Sequence, residues 1–465
     1  MIRRTLLQVS TMCESSFPTK DQQKIEISGV SIDTRTLNKG NLYVPIVGDR
    51  FNGHQFVQLA IEKGAAAVLW KRNEPNPPLG QIPVLIVDDT LLAIQSLAAN
   101  YRLQLNVTVI GITGSNGKTS TKDMLAECLS KQFKTQKTQG NLNNHLGVPL
   151  TLLGLEEDTE MAVVEMGMSD LGEIELLSKM AKPDIAIITN IGEAHLGDLG
   201  SIRNIVQAKL EIISGLQKNG TLIYNGDHVL LAGAVEAVDE EIKKLAFGLE
   251  TLNAYHPVIE EMDPYGSSFT IANDPTILYK IPLGGKHQIV NALTVIAAAT
   301  EVGMDKSRIQ AGLAYVRITS MRNEITQTDK YTIINDTYKS NPSSAIAALE
   351  ALYLWPAHLQ KIAVLGDMQD LGEQDVSLHH HVGSFVDAEK LDYLFTFGPL
   401  SVHTADHARR TMSAERVFHY EDKQQMSYQI QSILESNAVI LIKASRAMKL
   451  EEIVEELVGE KELQQ

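Results

Sequence analysis

The chain has 465 residues, 44% hydrophobic and 21% charged, with a net charge of −16. This is ordinary globular composition, long enough for about three domains of ~150 residues, and its acidity argues against nucleic acid as a main partner, which would need clustered Lys and Arg. Two cysteines, Cys13 and Cys128, make no disulfide framework, and no apolar run reaches the length of a signal core or membrane span. A cytoplasmic protein, expected to be a monomer, follows.

Residues 1–105 read as a small α/β unit. "NLYVPIVG" looks like a strand, "HQFVQLAIEKG" a helix closed by Gly64, and "AAAVLW" a second strand. After a proline-rich connection come the strand "VLIVDD" and the helix "TLLAIQSLAANYRL".

Residues 106–317 repeat the order strand, loop, helix. The strand "VTVIGIT" runs into "GSNGKTS" and then the helix "KTSTKDMLAECLSKQF", whose Met124, Leu125, Cys128 and Leu129 fall at helical spacing. "MAVVEMG", "DIAIITNIG" and "GTLIYNGD" are apolar runs before loops, as a parallel sheet covered on both faces requires. From 318 to 465 the alternation resumes with "YTIINDTY", "KIAVLGD", "LDYLFTFG" and "AVILIKAS", each followed by a helical stretch. The expected class is α/β: a small N-terminal domain, a central phosphate-loop domain on a parallel sheet, and a Rossmann-like doubly wound C-terminal domain.

The stretch Gly114-Ser115-Asn116-Gly117-Lys118-Thr119-Ser120 carries the first chemical signal. It departs from G-x-x-x-x-G-K-[ST], since Ile112 stands where that pattern wants glycine. Yet it follows a buried strand and opens a helix, so its backbone N–H groups and the helix terminus favour an anion. Lys118 can neutralise phosphate charge, and the Thr119 hydroxyl can ligate Mg²⁺.

Glu165 and His195 are read at the ends of the next two strands, where ligands of open α/β sheets bind. Each alone would be a solvated polar residue; together beside a phosphate loop, carboxylate and imidazole suit a divalent cation. Lys209 in "IVQAKLEIIS" reads as a solvated helix lysine, and His287 and Asn291, four apart, share one helical face open to packing, capping or binding.

In this order the pieces resemble the Mur ligases of peptidoglycan synthesis, whose phosphate loop has the short G-x-x-G-K-[ST] form. The resemblance runs through nearly the whole chain. It rests on "SIDTRTLNKGNLYVPIVGDRFNGHQFVQLAIEKGA", "TGSNGKTSTKDM", "TQGNLNNHLGVPLTLL", "EMGMSDLGEIELL", "TNIGEAHLGDLGS", "AKLEI", "MRNEI", "INDTYKSNPSS", "VLGDMQDLGE" and "KASRAMKLEE".

The resemblance implies an ATP-dependent, Mg²⁺-requiring ligase. It would join D-alanyl-D-alanine to UDP-N-acetylmuramoyl-tripeptide through an acyl phosphate, giving the pentapeptide, ADP and phosphate. Ser31, Asp33, Thr34, Arg35, Asn52, Gly53 and His54 would contact the uridine nucleotide, and Asn141 and Asn144 the muramyl part. Gly114 to Ser120 would hold ATP, with Asn291, Arg322 and Asp336 closing on the nucleotide. Thr119, Glu165, His195 and Lys209, the last as a carbamate, would carry metal. The family's usual residues differ at four places: Gln288 after His287, Lys339 in an Asp-x-Tyr-Asn stretch, and Ala444 and Ala447 for glycines in "KASRA". The alternatives are the Mur ligase that adds the third residue and a catalytically silent nucleotide-binding relative.

Overall fold

A computed structural model describes residues 1–48, 50–316 and 320–459 of the chain. The central sheet has six strands in the order Lys243–Phe247, Thr221–Asn225, Ile185–Ile188, Thr108–Thr113, Met161–Glu165 and Thr135–Lys137, all parallel. Val109, Ile110, Ile112, Val163, Val164 and Ile187 are fully buried, because helices cover both faces. The strand that feeds the phosphate loop, Thr108–Thr113, lies between Met161–Glu165 and Ile185–Ile188. The carboxyl ends of those neighbours therefore flank the loop on either side.

The N-terminal unit has a four-stranded parallel sheet, Val30–Ser31, Leu42–Tyr43, Ala67–Lys71 and Val84–Val87, beside the antiparallel pair Arg3–Thr5 and Glu26–Ser28. The helix Thr90–Arg102 is capped by Asp89, whose carboxylate accepts from the N–H groups of Leu91 and Leu92. It packs on the central-domain helix Gly147–Leu153, and one apolar cluster runs from Ile2 and Leu97 through Leu152 to Val164. The first two domains thus share a core.

The C-terminal sheet has the order Glu324–Gln327, Thr332–Asp336, Val439–Lys443, Lys361–Gly366, Tyr393–Phe397 and Val417–Tyr420. Its first strand is antiparallel and the rest parallel. The sheet has its own two apolar clusters, one on each face. That is the doubly wound arrangement expected from the four apolar runs. The expected boundary at 317/318 lies outside the described residues.

Three local readings need correction. "NLYVPIVG" contributes only Leu42–Tyr43 to the sheet, since Pro45 has no N–H for the ladder. "HQFVQLAIEKG" begins as a 3₁₀ turn, Gly53–Phe56, before the helix Val57–Glu62. The central domain also carries an antiparallel sheet, Pro257–Met262, Ser267–Ile271 and Asp274–Ile281, that the strand–loop–helix pattern did not suggest. Its inward Phe269, Ile271, Tyr279 and Ile281 join the cluster under the main sheet, while most of Pro257–Met262 is exposed, Glu260 and Glu261 among it.

Candidate active site

The phosphate loop is shaped by backbone that only glycine supplies easily. Gly114 has φ +147° and Gly117 φ +78°. A Cβ on Gly114 would come 1.9 Å from Thr189 Oγ1, and one on Gly117 2.7 Å from Asn291 Oδ1. The neighbouring strand stitches the loop down. Asn116 N donates to Asn190 Oδ1 (2.7 Å), Ser115 N to Asn190 O (3.1 Å), and Thr189 Oγ1 to Asn116 O (2.6 Å).

Lys118 opens the helix Lys118–Leu129, and its Nζ donates to Gly114 O at 2.6 Å. Burial drives its pKa down to about 8; Glu165 works against that, while Lys339 and Arg322 add to it. Thr119 Oγ1 donates to Glu165 Oε2 at 2.9 Å, and Asn143 Nδ2 donates to Glu165 Oε1 at 2.7 Å. Glu165 is only 1% exposed, with Lys122 Nζ 3.7 Å away. Thr119 and Glu165 gather oxygen donors beside the phosphate loop, which fits a hard divalent cation.

His195 is not at a strand end. Its strand stops at Ile188, and His195 lies beyond it in the loop, at φ 64°, heading the short helix Leu196–Leu199. The loop still returns the ring to the site. His195 Nδ1 faces Asp198 Oδ2 at 3.2 Å and Nε2 faces Lys339 Nζ at 3.0 Å. Burial, then Lys339, Lys209 and Lys118, hold its pKa at about 3, so the ring is neutral and accepts from the lysine.

Lys209 is not a solvated helix lysine. It is 1% exposed, and its pKa is lowered well below the usual lysine value, by burial first and then by Lys118 and Lys339. No hydrogen bond or ion pair to a described residue holds its amine. Among the described residues no three His, Cys, Asp or Glu form a metal cage by themselves. Any cation held here would draw on Thr119, phosphate oxygens or a modified Lys209.

The C-terminal domain completes the site. A cavity of about 710 Å³ is lined by the phosphate loop, Glu165 and His195 on one side and by Arg322, Asp336, Lys339 and Lys443 on the other. Asn141, Asn144 and Asn291 also line it. Lys443 Nζ donates to Asp336 Oδ2 (2.6 Å) and Lys339 O (3.1 Å), and the Arg322 guanidinium lies 4.0 Å over the Tyr338 ring. Across the domain boundary Asn116 and Asn341 exchange side-chain hydrogen bonds at 3.1 and 2.7 Å, and Ser343 Oγ donates to Glu193 Oε2 at 2.6 Å.

Two of the changed residues are absorbed. Gln288 Oε1 accepts from Asn291 Nδ2 at 3.2 Å, and buried Ala444 packs over Gly366.

None of the expected uridine contacts lines this cavity. They form a separate loop cluster. Asp33 pairs with the exposed Arg35 at 2.6 Å, and Ser31 Oγ accepts from Asp33 N at 3.2 Å. Thr34 is buried, and Gly53 lies against the Ile46 backbone. Asn52 Oδ1 accepts from His54 N at 3.0 Å. His54 itself is buried edge-on to Trp70, with Nδ1 facing Asn52 Oδ1 and Nε2 accepting from Lys71 N, so it shapes the loop. Sequence reasoning missed Asn143, Asn190, Lys122 and Lys443. Asn143 stands inside "GNLNNHLG", but nothing in spacing separates it from Asn141 and Asn144.

Three family models match successive parts of the chain. The Mur ligase family catalytic domain matches residues 26–102, the Mur ligase middle domain 112–299, and the Mur ligase glutamate ligase domain 321–446. UDP-N-acetylmuramoyl-tripeptide–D-alanyl-D-alanine ligase of Bacillus subtilis is 43% identical, covering 98% of this chain and 99% of that one. The Escherichia coli protein of the same name is 34% identical over 98% and 99%. The crystal structure of MurF from Acinetobacter baumannii superposes with TM-score 0.89 at 30% identity, over 98% and 99% of the two chains. MurF from Thermotoga maritima, solved in complex with ADP, gives 0.80 at 26% over 94% and 98%. The chain belongs to the Mur ligase family.

Proposed function

We propose that the protein is the ATP-dependent ligase that adds D-alanyl-D-alanine to UDP-N-acetylmuramoyl-tripeptide in peptidoglycan precursor synthesis, acting in the cytoplasm as a monomer. The observation that carries this reading is the cavity between domains, in which a phosphate loop faces Asp336, Lys339 and Lys443 of the C-terminal domain. Full-length similarity to ligases of that name supports the choice of substrates.

A carboxylate is a poor acyl donor, so ATP first converts it to an acyl phosphate, whose carbonyl the dipeptide amine then attacks, releasing phosphate. The chain's part is positioning and charge neutralisation. Lys118, released from Gly114 O, pairs with the phosphates, and Gly114 to Ser120 wrap them with backbone N–H groups. Asn291, Arg322 and Asp336 close on the nucleotide. Mg²⁺, held by Thr119 and Glu165, would supply Lewis-acid neutralisation of the phosphate oxygens.

Asn141 and Asn144 face the muramyl end, and the cluster Ser31, Asp33, Thr34, Arg35, Asn52 and Gly53, shaped by His54, takes the uridine nucleotide. Lys209 serves as a carbamate: its neutral amine forms an N–C bond to CO₂ and loses a proton to water, giving an anion that pairs with His195 in holding a cation. The domain limits 1–105, 106–317 and 318–465 fit this division of labour.

The test is phosphate release from ATP with UDP-N-acetylmuramoyl-tripeptide and Mg²⁺, with and without D-alanyl-D-alanine. Release that depends on the dipeptide is expected. Release with a single amino acid on a dipeptide acceptor would move the chain to the third-residue-adding ligase, and no release with either would make it a silent relative.

A further inference from the structure

The cation at His195 is already in the chain. The Lys339 ammonium lies 3.0 Å from His195 Nε2. Asp198 Oδ2, 3.2 Å from Nδ1, takes that nitrogen's proton in a hydrogen bond, so Nε2 presents the lone pair a metal would use. Lys339 makes no ion pair with any described carboxylate.

The ammonium is not there by a wandering side chain. Its backbone carbonyl is held by Lys443 Nζ at 3.1 Å, and Arg322 covers the adjacent Tyr338 at 4.0 Å. The reciprocal Asn116–Asn341 pair docks the following turn on the phosphate loop. Lys339 stands close enough to depress the charge on both Lys118 and Lys209. A divalent ion added beside Nε2 would meet that repulsion, while Thr119 and Glu165 offer oxygen donors elsewhere in the cavity.

We propose that Lys339 takes the place of a second divalent cation: carried in by the docked C-terminal domain, its ammonium neutralises the transferred phosphate and the Lys209 carbamate at His195, leaving one Mg²⁺, at Thr119 and Glu165. This rests on the ligase reading above.

The test counts Mn²⁺ bound to the full chain with a non-hydrolysable ATP analogue, alone and with UDP-N-acetylmuramoyl-tripeptide, by the electron paramagnetic resonance signal of free Mn²⁺. One ion per chain is expected for wild type and Lys339→Arg, and two for Lys339→Asn. The Mg²⁺ dependence of turnover in Lys339→Asn should steepen from a Hill slope of about one toward about two. Two ions in wild type, or one in Lys339→Asn with circular dichroism unchanged, would overturn the proposal. The count with the analogue alone needs no turnover, so failure of the ion count and failure of the dipeptide-dependence assay are told apart.

Discussion

Half-buried Lys118 and fully buried Lys209 both have depressed pKa values, yet they call for opposite chemistry. Lys118 can exchange its 2.6 Å bond to Gly114 O for phosphate oxygens, so an anion restores its charge. Lys118→Ala should lower kcat at least ~100-fold, equivalent to about 3 kcal/mol of transition-state stabilisation. UDP-substrate affinity by calorimetry should stay unchanged, because the uridine cluster does not border the cavity. Activity within tenfold of wild type would refute the loop assignment. Lys209 has no described acceptor to exchange, and burial makes its neutral amine reactive toward CO₂. Lys209→Ala should be folded and nearly inactive, with part of the rate restored by formate or acetate. Normal turnover of that variant in CO₂-free buffer would return Lys209 to a packing role.

At the scale of the element, the helix Lys286–Glu301 shows what an ionisable group in a first turn costs. His287 borders the cavity near the helix N-terminus, where the dipole disfavours imidazolium. Burial pushes its pKa from 6.5 to about 4, with Asp336 opposing and Lys443 assisting. The folded protein therefore binds fewer protons than the unfolded chain. Stability from this ring is complete above pH 6.5 and is lost progressively as pH falls toward 4. At pH 5 the loss should be ~1–2 kcal/mol, moderated by the cavity's solvent. Urea midpoints at pH 7 and pH 5 should differ less in His287→Asn than in wild type, and equal differences would remove the ring from the account.

The same scale explains what was legible beforehand. The strands at 108–113, 161–165 and 185–188 are apolar runs, so composition alone revealed them and the loop they flank. The antiparallel sheet at 257–281 was not legible, because only a few of its residues face inward and the rest are solvated. Glu165 could be placed from its strand. Lys209 could not, since a buried lysine without a partner looks in sequence like any helix lysine, and only the family resemblance singled it out. The Lys339–His195 contact joins residues 144 apart in the chain and exists only when two domains dock.

For the whole molecule, the core layout says which part can move. The N-terminal and central domains share one apolar cluster, whereas the C-terminal domain has its own and meets the centre through small polar contacts together with Leu378 and the edge-on Tyr265–Trp355 ring pair. Such an interface permits rigid-body motion. It also includes a backbone seat: Gly197 N donates to Asp370 O at 2.9 Å, and a Cβ on Gly197 would stand 2.8 Å from Gly372 N. Gly197 lies in the helix Leu196–Leu199 and not at positive φ, so alanine suits its own conformation and objects only to docking. ATP analogue plus UDP-tripeptide should make the wild-type molecule more compact in solution scattering. In Gly197→Ala the compaction should be reduced and kcat should fall by about tenfold or more, roughly 1.4 kcal/mol, with ATP-analogue affinity nearly unchanged. Because His195 is close by, a Gly197→Ala enzyme that still compacts normally but loses activity would indicate local disturbance at the ring, and a wild-type radius of gyration unmoved by both ligands would argue against closure altogether.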